Sequence, residues 1–295
     1  MKTICFHHND PDGRASGAIV RYALGKEILL HEVDYDGRPI PWSEVETAQH
    51  IVVVDFSFPR QDMLRLATGR ELTWIDHHKT AITEYQDIAQ DWKGLRDTTE
   101  AACVLVWKYY FPKRPVPRAV ILVGDRDIWR WAEAETGDFN DGLYRVKHES
   151  NQDELWVPLF EGDAGLLEEI TKKGHAIRDF HLKDIQKAVQ RRGFEVEFEG
   201  SRTLVINKPG NGDIGQYSRD LGYEMAYCYF DQMQAGRLIT SVTLFSGQVD
   251  VSKIAQRFGG GGHAGAAGFD FPRNDTPFPA DADVKWKQVM PKSRR

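Results

Sequence analysis

The stretch HHNDPDGRASG, residues 7–17, sets two imidazoles and two carboxylates within six positions, directly behind the apolar TICF. Carboxylate oxygens from Asp10 and Asp12, with the imidazole of His8, are donors for a divalent cation. Three further acidic sites follow. Asp55 closes the apolar IVVVD, Asp76, His77 and His78 close LTWI, and Asp125 follows AVILVG. Taken singly, an Asp at such a place reads as a helix cap or a turn residue. Four such sites, with two His-His pairs among them, exceed what capping requires. Since each closes an apolar run, all four are expected to meet along one edge of a parallel sheet, where open α/β sheets bind their ligands.

The donor set His8, Asp10, Asp12, Asp55, His77 and Asp125 amounts to four carboxylates and two imidazoles. Such a set suits Mn²⁺, with Mg²⁺ possible, and the lack of thiolate argues against structural zinc. Six protein donors are more than one ion needs if it keeps positions open. They fit two octahedral ions that share a carboxylate, about 3.5–4 Å apart, a pair suited to phosphoryl chemistry. A second feature is FGGGGHAGAAGF, residues 258–269. No Lys-Ser or Lys-Thr follows the glycines, so it is not a Walker loop, and it lies too late for a dinucleotide fingerprint. A flexible turn is one reading. The other is a nest of backbone N–H groups, at Gly260, Gly261 and Gly262, leading into a helix N-terminus with His263 placed to meet a phosphate.

Strands and helices must alternate to position these groups. TICFH, EILLHEVDY, HIVVVDFS and ELTWIDHH read as strands, with ASGAIVRYALG and PRQDMLRLA helical between them. That order predicts a mostly parallel sheet with helices on both faces. Helical segments from TTEAACVLVWKYYF to PVPRAVILVG follow, and residues 163–191 carry an apolar stripe that predicts one long linking helix. Beyond it, GFEVEFEG, RTLVINK, EMAYCYFDQ and LITSVTLFSG read as strands and VDVSKIAQRF as a helix, a smaller α+β domain. The expected α/β organisation is therefore a metal-binding domain over 1–162, a linker helix over 163–191, a substrate-binding domain over 192–271 and a tail over 272–295. The tail, rich in proline, is expected to be an extended or poorly ordered wrap.

With 295 residues, 41% of them hydrophobic, and a net charge of −6, the chain has no bulk basicity for holding long nucleic acid. Cys5, Cys103 and Cys228 are far apart and form no CxxC, so they read as reduced packing residues. No apolar run reaches membrane-spanning length, and the first residues turn charged too soon for a signal peptide. The expectation is a cytoplasmic chain with no membrane partner, either a monomer or a homodimer.

The ordered elements NDPDG, VVVDFS, DHHKT, GDRDIW and GGGGHAGAAGF, from His8 to about Phe269, resemble the DHH phosphoesterase superfamily with its DHH-associated C-terminal domain. The resemblance implies two Mn²⁺ ions in the N-terminal domain and a C-terminal domain that positions substrate. Carried onto this sequence, Asp10 and Asp12 would bind different ions, Asp55 would bridge them, and His77 and Asp125 would complete the second. Asp55, Asp76 and His78 are the candidates for the catalytic centre, with Asp76 and His78 supporting the ligands or touching phosphate. Arg14 and Lys79, each beside a metal motif, are candidate phosphate contacts, with Gly260, Gly261, Gly262 and His263. Many small-substrate members of the superfamily carry a histidine where this chain has Phe6, and Asp127 is an alternative to Asp125. The expected activity is hydrolysis of short oligonucleotides or linear dinucleotides to mononucleotides. The alternatives are a phosphomonoesterase or polyphosphate hydrolase, a single-stranded DNA exonuclease, and a nucleotide-sensing module without catalysis.

Overall fold

A computed structural model describes residues 2–35 and 37–286 of the chain. The fold divides into two compact units between Ile177 and Arg178. The first is built on four strands, β1 (Thr3–His8), β2 (Leu29–Val33), β3 (His50–Val54) and β4 (Glu71–Ile75), in the order β2-β1-β3-β4. Every pairing is parallel, with Ile4 opposite both Leu29 and Ile51, and Ile51 opposite Leu72. The sheet is covered on both faces, as an all-parallel sheet must be.

Alternation along the strands feeds two cores. Cys5, Val52, Val54 and Ile75 face one, shared with α1 (Pro11–Leu24), α5 (Ala102–Tyr110), α6 (Arg118–Asp127), α7 (Thr136–Leu143) and α8 (Asp153–Phe160). Ile4, Phe6, Ile51, Val53, Leu72 and Trp74 face the other, with residues of α2 (Trp42–Val45), α3 (Arg60–Ala67) and α4 (Lys79–Tyr85). Period two in the strands thus sorts one apolar run into two faces. Helix α1 starts sharply because Asp10 accepts from the Gly13 N–H at 2.9 Å and Pro11 occupies the first turn. Gly13 and Gly17 let it lie against β1: a Cβ on Gly13 would meet the His8 carbonyl oxygen at 2.4 Å, and one on Gly17 the His7 ring at 2.5 Å.

Helix α9 (Ala164–Arg192) covers the stretch that reads as one long helix; the division between the two units falls within it, and its first part, through Ile170, packs into the first unit's core. The second unit carries β5 (Phe194–Phe198), β6 (Ser201–Asn207), β7 (Met225–Gln234), β8 (Arg237–Phe245), β9 (Gly261–Gly262), β10 (Ala266–Pro272) and β11 (Val284–Trp286). They form one mixed sheet in the order β11-β5-β6-β7-β8-β10-β9. Helices α10 (Gly212–Asp220) and α11 (Val251–Arg257) complete the unit.

The segment after Pro272, expected as an extended or poorly ordered wrap, places Phe278 in the second unit's core and pairs β11 antiparallel with β5, while residues 287–295 lie outside the described residues. One expectation is corrected here. The glycine run does not lead into a helix. It follows α11 and forms β9, and the AGAAG behind it opens β10, joined by a tight hairpin in which His263 and Ala266 exchange backbone hydrogen bonds of 2.8 and 3.2 Å. Small residues are needed there because a Cβ on Gly260 would strike the Gly268 carbonyl oxygen at 2.0 Å.

Candidate metal centre

Three strands of the first unit end on polar residues at the same edge. His8 is the last residue of β1, Asp55 follows β3, and Asp76, His77 and His78 follow β4. The first turn of α1 adds Asp10 and Asp12, and the last residue of α6 adds Asp127. Asp55 is the centre of the group. It belongs to three sets whose donor atoms lie within 4.8 Å of one another: His8 with Asp10, Asp12 with His77, and Asp76 with His78. Its backbone is left-handed, with φ at 54°, a conformation worth about 1–3 kcal/mol of strain in a residue other than glycine.

The charges do not balance within the chain. Nε2 of His77 faces Asp55 Oδ1 at 3.2 Å, Asp127 Oδ2 at 3.4 Å and Asp12 Oδ2 at 3.8 Å. One imidazole N–H donates to one acceptor, so three carboxylates converging on it leave negative charge over. Asp55 Oδ2, Asp76 Oδ2 and Asp127 Oδ2 are buried with no hydrogen-bond donor among the described residues. Buried carboxylates are held by donors or metals, and these oxygens lack the donors. Burial pushes the pKa of Asp12 upward, and burial together with neighbouring aspartates pushes those of Asp55 and Asp127 well upward. The pKa of His77 is pushed down by burial, which keeps its ring neutral and suited to ligation. The donor chemistry and the orphaned oxygens fit divalent cations.

Other members are already held. Asp12 caps α5, accepting from the N–H groups of Ala102 and Cys103 at 2.8 Å each, which fixes both of its oxygens. Asp76 Oδ1 accepts from the N–H groups of His77 and His78 and meets His78 Nδ1 at 2.7 Å. Burial raises the pKa of Asp76, but the His78 contact outweighs it and the net shift is downward. The same balance, burial against Asp76, leaves the pKa of His78 raised. His8 Nδ1 lies 3.0 Å from Asp10 Oδ2. Burial raises the pKa of Asp10, yet the hydrogen bond and charge of His8 lower it overall to about 2.

The structure places Asp125 not at the expected strand end but on α6, and its carboxylate is spent on its own chain. It accepts from the N–H groups of Ala132 and Glu133 at 3.0 and 3.2 Å and from the Thr136 hydroxyl. Asp127, two residues on, is the one that faces His77. An apolar run before an acid does not reveal whether it is strand or helix, and on a helix two residues turn the side chain to another face. Trp129, which together with Trp131 sits beside this turn, is buried, so its ring serves packing.

Arg14 is also committed elsewhere: its guanidinium forks onto Glu32 at 2.8 and 3.0 Å and reaches His148 at 3.0 Å. Lys79 is exposed at the start of α4, one residue from His78. In the second unit, Gly261 and Gly262 are exposed on β9 and His263 is half-buried at the hairpin. Asp34 does not stand out in the sequence, yet its Oδ1 lies 3.7 Å from His8 Nε2 and its Oδ2 accepts from Asn9 at 2.9 Å. Only its place one residue beyond β2 could have signalled it.

No protein-family model matches the chain. An uncharacterized protein of Acanthamoeba polyphaga mimivirus is 23% identical over 296 residues, covering 92% of this chain and 68% of its own length. The oligoribonuclease NrnB of Bacillus subtilis (strain 168) is 23% identical over 292 residues, covering 89% of this chain and 71% of its own. Among solved structures, the DHH domain of a member of a ribosomal-protein family superposes with a TM-score of 0.59 at 15% identity, covering 90% of this chain and 82% of that one. The pGpG-specific phosphodiesterase PggH from Vibrio cholerae superposes with a TM-score of 0.52 at 12% identity, covering 92% and 94%. No helix of the described residues is long and apolar enough to cross a membrane.

Proposed function

From its DHH-domain fold, we propose that the chain is a metal-dependent phosphodiesterase that cleaves short oligonucleotides or linear dinucleotides to mononucleotides. The observation that carries this reading is the excess of buried, donorless carboxylate around Asp55. When bound, two Mn²⁺ ions (or Mg²⁺) would acidify a water and draw charge from a phosphoryl group. His8 and Asp10 would hold one ion, Asp12, His77 and Asp127 the other, with Asp55 common to both. Asp76 fixes His78 through its Nδ1 and favours its protonated form, so His78 can donate a proton or a hydrogen bond to a phosphate oxygen. Lys79 is a further phosphate contact, and in the second unit Gly260, Gly261, Gly262 and His263 hold a terminal phosphate.

Two considerations favour short substrates. The chain's charge of −6 supplies few contacts for a long backbone. It is also similar to proteins named as an oligoribonuclease and as a pGpG-specific phosphodiesterase. The three cysteines are free and buried, which supports a cytoplasmic setting. The test is kcat/KM with Mn²⁺ against oligonucleotides of increasing length at two salt concentrations, with polyphosphate and mononucleotides alongside. The rate should peak at two to about five nucleotides with a shallow salt slope, because that slope follows the phosphates neutralised. Preference for long strands with a steep slope, or turnover of polyphosphate alone, would replace this reading.

A further inference from the structure

Beside the metal centre the first unit holds a cavity of about 590 Å³, bounded by the ends of β1 and β2, the loop before α2 and the loop after β3. Two of its lining residues adjoin the centre: Asp34, which approaches His8 Nε2 at 3.7 Å, and Phe56, the residue after Asp55. Its walls are rings in contact. Tyr35 lies 4.6 Å from Phe56, Phe56 lies 5.0 Å from Phe58, Phe58 lies 5.2 Å from Phe6, and Phe6 stacks on His31 at 5.4 Å. Trp42 completes the lining, one face covered by the Arg65 guanidinium at 3.7 Å. Tyr35 is 63% exposed although it stands in this row and touches the His8 ring at 5.8 Å. The core does not need an exposed ring there.

We propose that this cavity takes the base of the nucleotide whose phosphate lies at the metal centre. The volume is that of a small-molecule cleft. Of the lining rings, Tyr35, His31 and Trp42 keep exposed surface and can stack on a nucleobase, each of which has a π-face, whereas Phe6, Phe56 and Phe58 are buried in the core. The cavity's polar lining is mixed in charge and suits the edge of a base. Glu32 is paired with Arg14, Asp34 already accepts from Asn9 and from the Tyr35 N–H, and Asp62 and Arg38 also line the cavity, so a base edge would meet polar side chains of both signs. This assignment rests on the phosphodiesterase reading for its phosphate but not for its measurement.

The test reads binding and not turnover. Titration calorimetry with Mn²⁺ compares adenosine or guanosine 5′-monophosphate with ribose 5-phosphate, which carries the same phosphate and sugar but no base. The wild type should bind a nucleotide about tenfold or more tightly, the scale of one stacked base. In Tyr35→Ala and in Trp42→Ala the ratio should fall towards one while ribose 5-phosphate binds as before. Tyr35→Ala removes an exposed ring, so the test does not depend on the less exposed Trp42. A wild type that shows no nucleotide preference, or variants that keep it, overturns the pocket even if dinucleotides are cleaved. A wild type that binds nucleotide through Tyr35 but cleaves no phosphodiester supports the pocket and overturns the phosphodiesterase.

Discussion

The edge of the parallel sheet and the glycine hairpin of the second unit both stand out in the sequence, and the structure treats them in opposite ways. At the sheet edge the chain leaves its own polar groups unsatisfied: carboxylate oxygens of Asp55, Asp76 and Asp127 are buried without donors among the described residues, and Asp55 sits in a left-handed conformation. In the hairpin the backbone is satisfied by β9–β10 pairing and by the His263–Ala266 turn, and close packing accounts for Gly260 and Gly262. Polar groups matched within the chain need no ligand to account for them, so the sheet edge points to a bound group more strongly than the hairpin does.

The sharpest way to break that contrast is at Asp55. Asp55→Asn should lower phosphodiesterase activity by several orders of magnitude, since one side chain joins three donor sets at the centre. It should also move stability in two directions. Without metal the variant should melt higher than the wild type, because a buried uncompensated charge is removed, an effect of roughly 1–3 kcal/mol. With Mn²⁺ the wild type should gain stability by ligand linkage and the variant much less. Melting curves in chelator and in Mn²⁺ read both effects. A wild type indifferent to Mn²⁺ would mean that the unmatched carboxylates are balanced by some other means.

A second contrast lies within α6, where Asp125 and Asp127 are two residues apart. Asp125→Ala removes the acceptor for two backbone N–H groups and the Thr136 hydroxyl, so it should destabilise the fold by about 1–3 kcal/mol while sparing metal affinity. Asp127→Asn should do the reverse, costing no stability (without metal it should gain some, for the same reason as Asp55→Asn) and weakening one ion by more than the ~10–100-fold typical of outer partners. Mn²⁺ titration beside thermal melting of each variant decides it. Metal loss with Asp125→Ala at full stability would restore the assignment read from the sequence.

What can be read in the sequence follows from how local the physics is. The four strands of the parallel sheet, α1 with its Asp10 cap and the long helix announce themselves because period and capping are local. That His8, Asp10, Asp12, Asp55 and His77 come together is legible because each sits at or just beyond the end of its apolar run, and a strand end fixes where a side chain stands. That Asp127 and not Asp125 faces His77 is not, because it depends on the rotation of α6 against the sheet. The hairpin reads as a route into a helix because AGAAG is as compatible with close strand packing as with a helix start. Asp34 and the row of rings at the cavity lie on different segments that only the folded chain brings together.

In the second unit the effects should be smaller. His263→Ala should raise KM by about tenfold with kcat little changed, if the side chain holds substrate equally in ground and transition states. Mn²⁺ affinity should stay at the wild-type value. Steady-state kinetics with a dinucleotide checks the first and metal titration the second, and loss of an ion would move His263 from substrate to metal.

The finest test compares two adjacent glycines. Gly262 has φ of +137° and a Cβ there would meet the Ala267 Cα at 2.6 Å, so Gly262→Ala should cost about 1–3 kcal/mol of stability on backbone grounds alone. Gly261 is exposed on the same two-residue strand, without a positive φ, and an added Cβ would have nothing within 4 Å. Gly261→Ala should therefore change stability by less than about 0.5 kcal/mol. If the hairpin holds a phosphate through close backbone approach, that same methyl group stands in the ligand's way and KM rises while the melting curve does not move. If KM also stays at its wild-type value, the glycine run is explained by strand packing, and substrate is held elsewhere.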